Sequence, residues 1–370
     1  MYPWDDRRSL GPLVARGRRC HPLPSAVRHR CDRVQRQDGR HECRARQTDS
    51  QGRPAQAKLK GPRLALKTAL VGIGKIARDQ HIPAIEANAE FELVATASRN
   101  AEVGGIPAFR NLASLLENVP EVDCVSLCTP PAARYSDAKL AIEAGCHVML
   151  EKPPGTTLVE VQNLASLADK AGVTLFASWH SREAAAVRAT RDWLKGKLVR
   201  EVRIDWKEDV RFWHPGQDWI WEADGFGVFD PGINALSILT AIHPHTLVVS
   251  EAILSIPENR DTPVAARMSL HDPEGTEVSV ELDWLEEGSP KWDIRIHADE
   301  GEALLSDGGA RLLIDGEEAM SGPDREYHAL YECLAGLIAS GSSDVDLAPM
   351  RIVSDAMAVA DRHVAPPFEW

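Results

Sequence analysis

A glycine-rich segment near residue 72 is the first candidate for chemistry, because its pattern suits a phosphate-bearing ligand. An apolar run over residues 68–71 is followed by Gly72-Ile73-Gly74-Lys75-Ile76-Ala77, the pattern G-x-G-x-x-A. In such a turn the first glycine permits a tight bend, the second lets the backbone approach a pyrophosphate, and the small third residue lets the following helix pack on the strand. The pattern predicts a dinucleotide site, with the phosphates at the helix N-terminus, formed by Gly72, Gly74, Lys75, Ile76 and Ala77.

The residues after the next predicted strand indicate which dinucleotide binds. A strand over 91–97 ends at Ser98-Arg99, where an NAD-selective site would carry an Asp or Glu that accepts the ribose 2′-hydroxyl. Without that carboxylate a 2′-phosphate is not repelled, and Ser98 can donate to it while Arg99 pairs with it in a bidentate manner. The sequence therefore predicts NADP as the cofactor, with NAD also accepted. The alternative is that Arg99 is only a solvated turn residue.

Two later apolar strands also end in residues that suit a ligand site. The strand over 124–128 is followed by Thr129-Pro130, and the strand over 147–150 is followed by Glu151-Lys152. Because ligands of open α/β sheets bind outside the carboxyl ends of the strands, these four residues are expected beside the dinucleotide.

The second half of the chain supplies aromatic and polar residues. His180 follows a predicted strand, and Trp213 and His214 lie in a segment that also contains Trp219 and Trp221. Flat aromatic faces beside hydrogen-bonding groups suit a pyranose, whose C–H face packs while its hydroxyls need partners. The alternatives are that the tryptophans only anchor a long loop to the core and that His180 is an ordinary strand-end histidine.

An acid and an amide occur four residues apart where a helix is predicted to begin. Asp230 and Asn234 are followed by apolar residues at helical spacing, so both side chains should lie on one face of the helix. In the structural alternative, Asp230 is only the N-cap of this helix, with Pro231 in its first turn.

The elements that must position these residues are expected to form two domains. The chain has 370 residues, and strands alternate with helices over residues 65–182. Short runs of alternating hydrophobicity between turns over 247–314 are typical of antiparallel sheet, and the tail returns to helix. We expect a dinucleotide-binding domain over 65–182 and a second domain over 183–370, whose C-terminal helices can pack back on the first. Seven cysteines, no signal-like N-terminus and no membrane-like segment indicate a cytoplasmic protein.

The first 64 residues differ from the rest in composition. Residues 1–60 carry a net charge of +9, whereas the remainder carries −22. Since no apolar periodicity persists there, we expect residues 1–64 to be a disordered basic extension, most simply an upstream extension from a misplaced start codon. Three alternatives are weaker: a zinc site without close cysteine pairs (Cys20, Cys31, Cys43), an organelle transit peptide, and a nucleic-acid arm that the acidic body disfavours. We therefore expect no nucleic-acid and no membrane partner.

The motifs together resemble the glucose–fructose oxidoreductase and inositol dehydrogenase family from residue 67 to residue 370. The resemblance is carried by G-x-G-x-x-A, Thr129-Pro130-Pro131 and AGCHVMLEKP. Within that family, VGIGKIARDQHIPAI, WKEDVRFWHPGQDWIWE and GVFDPGIN resemble the bacterial L-arabinose and D-galactose 1-dehydrogenases. Arg134 and Asn234, at positions that are commonly histidine in the broad family, fit this branch. The resemblance implies an α/β fold: an N-terminal Rossmann domain, then a C-terminal α/β domain with a large, mostly antiparallel sheet that forms a homodimer.

The resemblance also implies a reaction, the oxidation of a pyranose such as L-arabinose or D-galactose at C1 to the lactone. We expect Asp230 to be the general base, Lys152 to stabilise the developing alkoxide and Asn234 to orient the sugar. Glu151 is expected to support the nicotinamide ribose or to hold Lys152, and no metal is expected. Sugar contacts are assigned to His180, Trp213, His214 and Asn234. The alternatives are another cyclic-sugar oxidoreductase and a non-catalytic, NAD(P)-binding regulator.

Overall fold

The structure is a computed structural model and describes residues 65–370. These residues form two β-sheets with their helices. The predicted extension over 1–64, with its candidate zinc ligands, lies outside the described residues. None of the described helices is long and apolar enough to cross a membrane.

The first sheet is six-stranded and parallel, with the order β3-β2-β1-β4-β5-β6. Its strands are β1 (Leu66–Val71), β2 (Phe91–Ala97), β3 (Ala108–Phe109), β4 (Cys124–Leu127), β5 (His147–Leu150) and β6 (Leu175–Ala177). This is the doubly wound order, in which the ligand crevice opens where the direction of winding changes, between β1 and β4. The predicted Rossmann fold is confirmed.

The second sheet is nine-stranded and mostly antiparallel, with the order β14-β13-β12-β11-β7-β10-β9-β8-β15. Its strands are β7 (Val199–Lys207), β8 (Val248–Pro257), β9 (Ala265–His271), β10 (Glu277–Asp283), β11 (Lys291–Ala298), β12 (Gly301–Ser306), β13 (Arg311–Ile314), β14 (Glu317–Ser321) and β15 (Asp361–Ala365). Only β7 with β10 and β8 with β15 pair in parallel. Burial alternates along β9 and β10, as expected of a sheet with one face packed and one solvated.

Nine α-helices surround the sheets in the described part of the chain. They are α1 (Ile82–Glu86), α2 (Leu112–Asn118), α3 (Pro131–Glu143), α4 (Leu158–Ala171), α5 (Val187–Trp193), α6 (Val210–Trp213), α7 (Phe229–Ile242), α8 (Glu326–Ser340) and α9 (Ala348–Val359). The sequence predicts a helix over 183–194, but α5 begins only at Val187. A 3₁₀ turn ends at Glu183, and the N–H of Ala186 bonds to the carbonyl of Gly309 instead of to a helical turn.

Helix α7 packs against the second sheet, and helix α8 packs against the first. Helix α7 is buried along most of its length, and a Cβ on Gly232 would lie 2.5 Å from the Leu282 side chain of β10, so any larger residue there would displace Leu282. Helix α8 packs on the first sheet, with Leu330 and Tyr331 in one core cluster with Leu70. The carboxyl edge of the first sheet therefore faces α7 on one side and the start of α8 on the other.

Candidate active site

The glycine turn after β1 has the geometry of a dinucleotide site. Gly72 has φ +87°, and a Cβ there would lie 2.8 Å from the backbone N of Thr129, so both the turn and the neighbouring loop require glycine. A Cβ on Gly74 would meet nothing within 4 Å, which leaves open space where a phosphate would approach. Ala77 is fully buried, whereas Lys75 is exposed and paired with Asp79. Half-buried Ile76 packs on the core beneath the turn.

The strand ends beside this turn provide the other predicted cofactor contacts. Ser98, half-buried, and Arg99, exposed, follow β2, the neighbour of β1. Thr129 and Pro130 follow β4, on the other side of β1. The hydroxyl oxygen of Thr129 is buried and has no hydrogen-bond partner within residues 65–370. An unsatisfied buried hydroxyl beside the Gly72 turn is the kind of group that a bound polar ligand can satisfy.

A buried arginine fixes the loop that follows β5. The Arg134 guanidinium donates to the carbonyl of Glu151 at 2.5 Å and also to the carbonyl of Pro153. Arg134 is 4% exposed, and these carbonyls satisfy part of a charged group that burial destabilises, since its Nε has no partner within residues 65–370. The residue that replaces a common family histidine therefore holds the backbone on both sides of Lys152.

The Glu151 carboxylate is the centre of a buried hydrogen-bond network. It accepts from His81 Nε2 at 2.9 Å, from the Tyr327 hydroxyl at 2.7 Å and from the backbone N–H of Lys152 at 2.9 Å. Burial alone would raise the pKa of Glu151, but the hydrogen bond and charge of His81, with the charges of His180 and Arg134, lower it to about 2. Glu151 thus holds the backbone of Lys152, and the start of α8 supplies one of its donors.

Lys152 and Asp230 meet across the crevice between the first sheet and α7. The Lys152 Nζ lies 3.2 Å from Asp230 Oδ1 and donates to the Asp230 carbonyl at 3.0 Å. The second carboxylate oxygen, Oδ2, is 3.6 Å from His214 Nε2. Burial lowers the pKa of His214, which favours its neutral form although Asp230 is nearby.

The helix start differs from the N-cap interpretation of Asp230. Helix α7 begins at Phe229 with Val228 as its N-cap, so Asp230 lies within the first turn and its carboxylate points to Lys152. Asn234 is one turn further on the same helix, is half-buried, and its amide makes no hydrogen bond to any residue that the structure describes. The acid and the amide are therefore not explained as helix caps.

A tryptophan-lined wall lies beside Lys152 and Asp230 and contains three residues that sequence reasoning missed, namely Glu208, Trp284 and Trp292. Glu208 is buried and accepts from Trp284 Nε1 at 3.2 Å and from Trp292 Nε1 at 2.8 Å. Burial raises the pKa of Glu208, against the indole hydrogen bonds and Lys152. Trp292 lies 5.2 Å from Trp213 between ring centroids. The polar run that ends β7 was a signal for Glu208, whereas Trp292 lies 84 residues later and only the sheet register brings it here.

His180 and Trp221, which the sequence places near the sugar site, have different surroundings in the structure. His180 follows β6, bonds through Nδ1 to Glu326 at 2.5 Å and stacks on Tyr327, and Glu326 raises the pKa of His180 against the effect of burial. Trp221, in contrast, is 2% exposed and packs in the core, so it anchors its loop. Within residues 65–370 no cluster of three or more His, Cys, Asp or Glu is arranged to hold a metal ion.

Comparisons with known proteins agree with this geometry. A family described as an oxidoreductase family with an NAD-binding Rossmann fold matches residues 66–178. A galactose 1-dehydrogenase of Pseudomonas fluorescens is 42% identical over 309 residues, 80% of this chain and 96% of the relative. The crystal structure of a D-galactose-1-dehydrogenase protein from Rhizobium etli is 49% identical, with a TM-score of 0.81 over 84% of this chain and all of the other.

A more distant structure shows the same fold. A 3-ketoreductase from Actinomadura kijaniata is 19% identical, with a TM-score of 0.72 over 82% of this chain and all of the other. The predictions of an enzyme and of a nicotinamide dinucleotide cofactor are confirmed by the family assignment and by the relatives with high coverage. The chain belongs to the glucose–fructose oxidoreductase and inositol dehydrogenase family, oxidoreductases with an NAD-binding Rossmann fold.

Proposed function

We propose that the protein is an NADP-dependent aldose 1-dehydrogenase that oxidises a pyranose, such as D-galactose or L-arabinose, at C1 to the lactone. The observation that carries the proposal is the contact between the Lys152 ammonium and the Asp230 carboxylate in the crevice outside the first sheet. The names of the two relatives at 42% and 49% identity support a sugar as the substrate class.

Asp230 is proposed as the general base. Its Oδ2 would accept the proton of the anomeric hydroxyl, which is more acidic than an ordinary alcohol and therefore within reach of a carboxylate. The Lys152 ammonium stabilises negative charge as it develops on the sugar oxygen. When bound, the dinucleotide would supply the acceptor for the hydride that leaves C1. The Nε2 of neutral His214 lies 3.6 Å from Oδ2, beyond hydrogen-bond distance, so His214 would have to approach Asp230 before it could share the proton.

The sugar is proposed to lie between the indole wall and helix α7. Trp213, 36% exposed, and Trp292 offer apolar faces to the C–H groups of a pyranose. The unpaired amide of Asn234 offers a donor and an acceptor for neighbouring hydroxyls, and His180 lies at the other side of the crevice. These groups suit a small, hydroxyl-rich ring.

The preference for NADP is proposed to come from Ser98 and Arg99. Both residues follow β2, where the 2′-position of the adenosine ribose lies in dinucleotide-binding folds. An exposed guanidinium there pairs with a phosphate without displacing any protein contact. NAD is expected to bind more weakly because it lacks that phosphate.

We also propose that two copies associate through the outward face of the nine-stranded sheet, which the family resemblance favours. This face carries charged side chains such as Asp205 and Lys207, which pair at 3.2 Å within the chain. Sedimentation analysis tests the proposal, since a monomer at micromolar concentration would contradict it.

A panel of aldoses with each cofactor tests the activity. We expect NADPH to form with D-galactose or L-arabinose, and the product to react with hydroxylamine as a lactone does. Turnover should fall by about 10²–10³ in Lys152→Met. Failure of every aldose to reduce either cofactor would refute the proposed function.

A further inference from the structure

The three residues Phe368, Glu369 and Trp370 are held against the body of the protein, although no part of the proposed reaction uses them. Phe368 is 3% exposed, its N–H donates to Asn259 Oδ1 at 2.9 Å and its carbonyl accepts from Asn259 Nδ2 at 3.0 Å. Arg260 donates to the same carbonyl at 3.3 Å. The segment therefore has a fixed position of its own.

This segment contacts the loop over 209–226, which carries Trp213 and His214. Trp370 Nε1 donates to Asp218 Oδ1 at 2.8 Å, and Arg211 Nε donates to the carbonyl of Glu369 at 3.2 Å. The Arg211 guanidinium also lies 4.8 Å from the centre of the Phe368 ring, a cation–π contact. The loop is thus tied to residues 368–370 at two separate points.

A continuous series of aromatic ring contacts connects this segment to His214, the neighbour of the proposed base. Phe368 lies 4.6 Å from Trp221, Trp221 lies 5.3 Å from Trp284, and Trp284 lies 5.3 Å from His214, all between ring centroids. His214 Nε2 is then 3.6 Å from the Asp230 carboxylate. Aromatic side chains in contact fix one another in place because they have few rotamers and pack at close range.

The loop over 209–226 contains little regular secondary structure that could keep it ordered. Its regular elements are the single turn α6 and a 3₁₀ turn over Asp218–Trp221, and such short helices are not stable alone. Phe212 is 74% exposed and Trp213 36% exposed, so the outer part of the loop is not packed into the core. Its order must come from the neighbours that contact it.

We infer that the segment over 368–370 is a clamp that positions the loop over 209–226, and with it His214 and Trp213, for sugar binding. Trp370 and Arg211 are positioning residues in this inference, which rests on the proposed sugar dehydrogenase activity. Without the clamp the loop must be ordered when the sugar binds, so sugar affinity falls while the distant dinucleotide turn is unaffected.

Two substitutions remove contacts of the clamp at exposed side chains, without opening the core. Trp370→Ala removes the donor to Asp218 and the ring contacts with Trp221 and Phe368. Arg211→Ala removes the contacts to Glu369 and Phe368 and a 3.6 Å ion pair with Asp209. The matched control is Val364→Ala in β15, which truncates an 80% exposed side chain in the same part of the chain. We expect each clamp variant to raise the sugar KM about tenfold, equivalent to about 1.4 kcal/mol. The KM for NADP and all constants of Val364→Ala should stay at wild-type values.

A second measurement, the rate of proteolysis of the loop, tests the clamp in the absence of substrate. Chymotrypsin should cut after Phe212 or Trp213 faster in Trp370→Ala than in the wild type or Val364→Ala, because the loop opens more often. Unchanged sugar KM together with unchanged cleavage would overturn the inference. So would equal rises in sugar and NADP KM with a lower Tm, since that result indicates general destabilisation. If the wild type oxidises no aldose, the proposed function fails, while cleavage still tests the clamp.

Discussion

The substitution Asp230→Asn tests the proposed base most directly. The carboxylate is 5% exposed and lies 3.2 Å from Lys152, so the amide would occupy the same space but could not accept the hydroxyl proton. General base catalysis contributes about 10²–10⁴ in rate, and we expect kcat to fall by about 10³. Asparagine can still hydrogen-bond a sugar hydroxyl, so the sugar KM should change much less than kcat.

Folding should be little affected by the same change. Breaking a buried ion pair usually costs about 3–5 kcal/mol, because one charge is left without a partner. Here Lys152 is half-buried and would still donate to the backbone carbonyl of residue 230, 3.0 Å away. In the variant the amide oxygen would replace Oδ1 as the second acceptor for Lys152. We therefore expect a change well below that range, and a Tm within a few degrees of the wild type.

Initial rates of NADPH formation and thermal unfolding measure the two effects. The matched control is Asp192→Asn, which breaks a surface pair with Lys195 of 2.8 Å and should change neither kcat nor Tm. A kcat for Asp230→Asn close to that of the wild type would refute the base assignment. A large fall in Tm that accompanies the lost activity would instead indicate a structural role.

Four further outcomes are expected. Lys152→Met should lower kcat by about 10²–10³ with little change in NADP KM, measured by initial rates. Arg99→Ala should raise the KM for NADP about tenfold or more and leave that for NAD nearly unchanged; equal changes would contradict the 2′-phosphate assignment. Asn234→Ala should raise the sugar KM more than it lowers kcat, by about fivefold for one lost hydrogen bond. The pKa of Glu151 is about 2 in the folded protein and 4.5 ordinarily. Ionised Glu151 therefore stabilises the folded state by about 3 kcal/mol above pH 4.5, and this stabilisation is lost as pH falls towards 2. Denaturant unfolding of Glu151→Gln should show lower stability at neutral pH and a flatter acid limb.

Local patterns sufficed for the first sheet and for the residues at its edge. The turn at Gly72 and the polar ends of β4 and β5 are readable because each strand in a parallel sheet ends at the same edge. The prediction of the fold class was therefore correct. Helix boundaries were less well predicted, as near Ala186, where a hydrogen bond to the distant Gly309 carbonyl competes with the helix.

Contacts between distant segments account for most of what the sequence did not predict. Trp292 and Trp284 lie beside Glu208 because β11 and β10 both pair with β7, and this register cannot be derived from hydrophobic alternation alone. Tyr327 reaches Glu151 from 176 residues away. Sequence motifs do not predict such pairs, since neither partner belongs to a recognisable pattern by itself.

The hydrogen bonds of the three crevice carboxylates support Asp230 as the base. Glu151 accepts from three donors, and His81, with the charges of His180 and Arg134, lowers its pKa, so its carboxylate stays charged and is engaged in holding the loop. Each oxygen of Glu208 accepts an indole N–H. Asp230 Oδ2 has only His214 at 3.6 Å, beyond hydrogen-bond distance, among the residues that the structure describes. A sugar hydroxyl can therefore reach Asp230 without displacing a protein donor, whereas at Glu151 it would have to break a satisfied buried network.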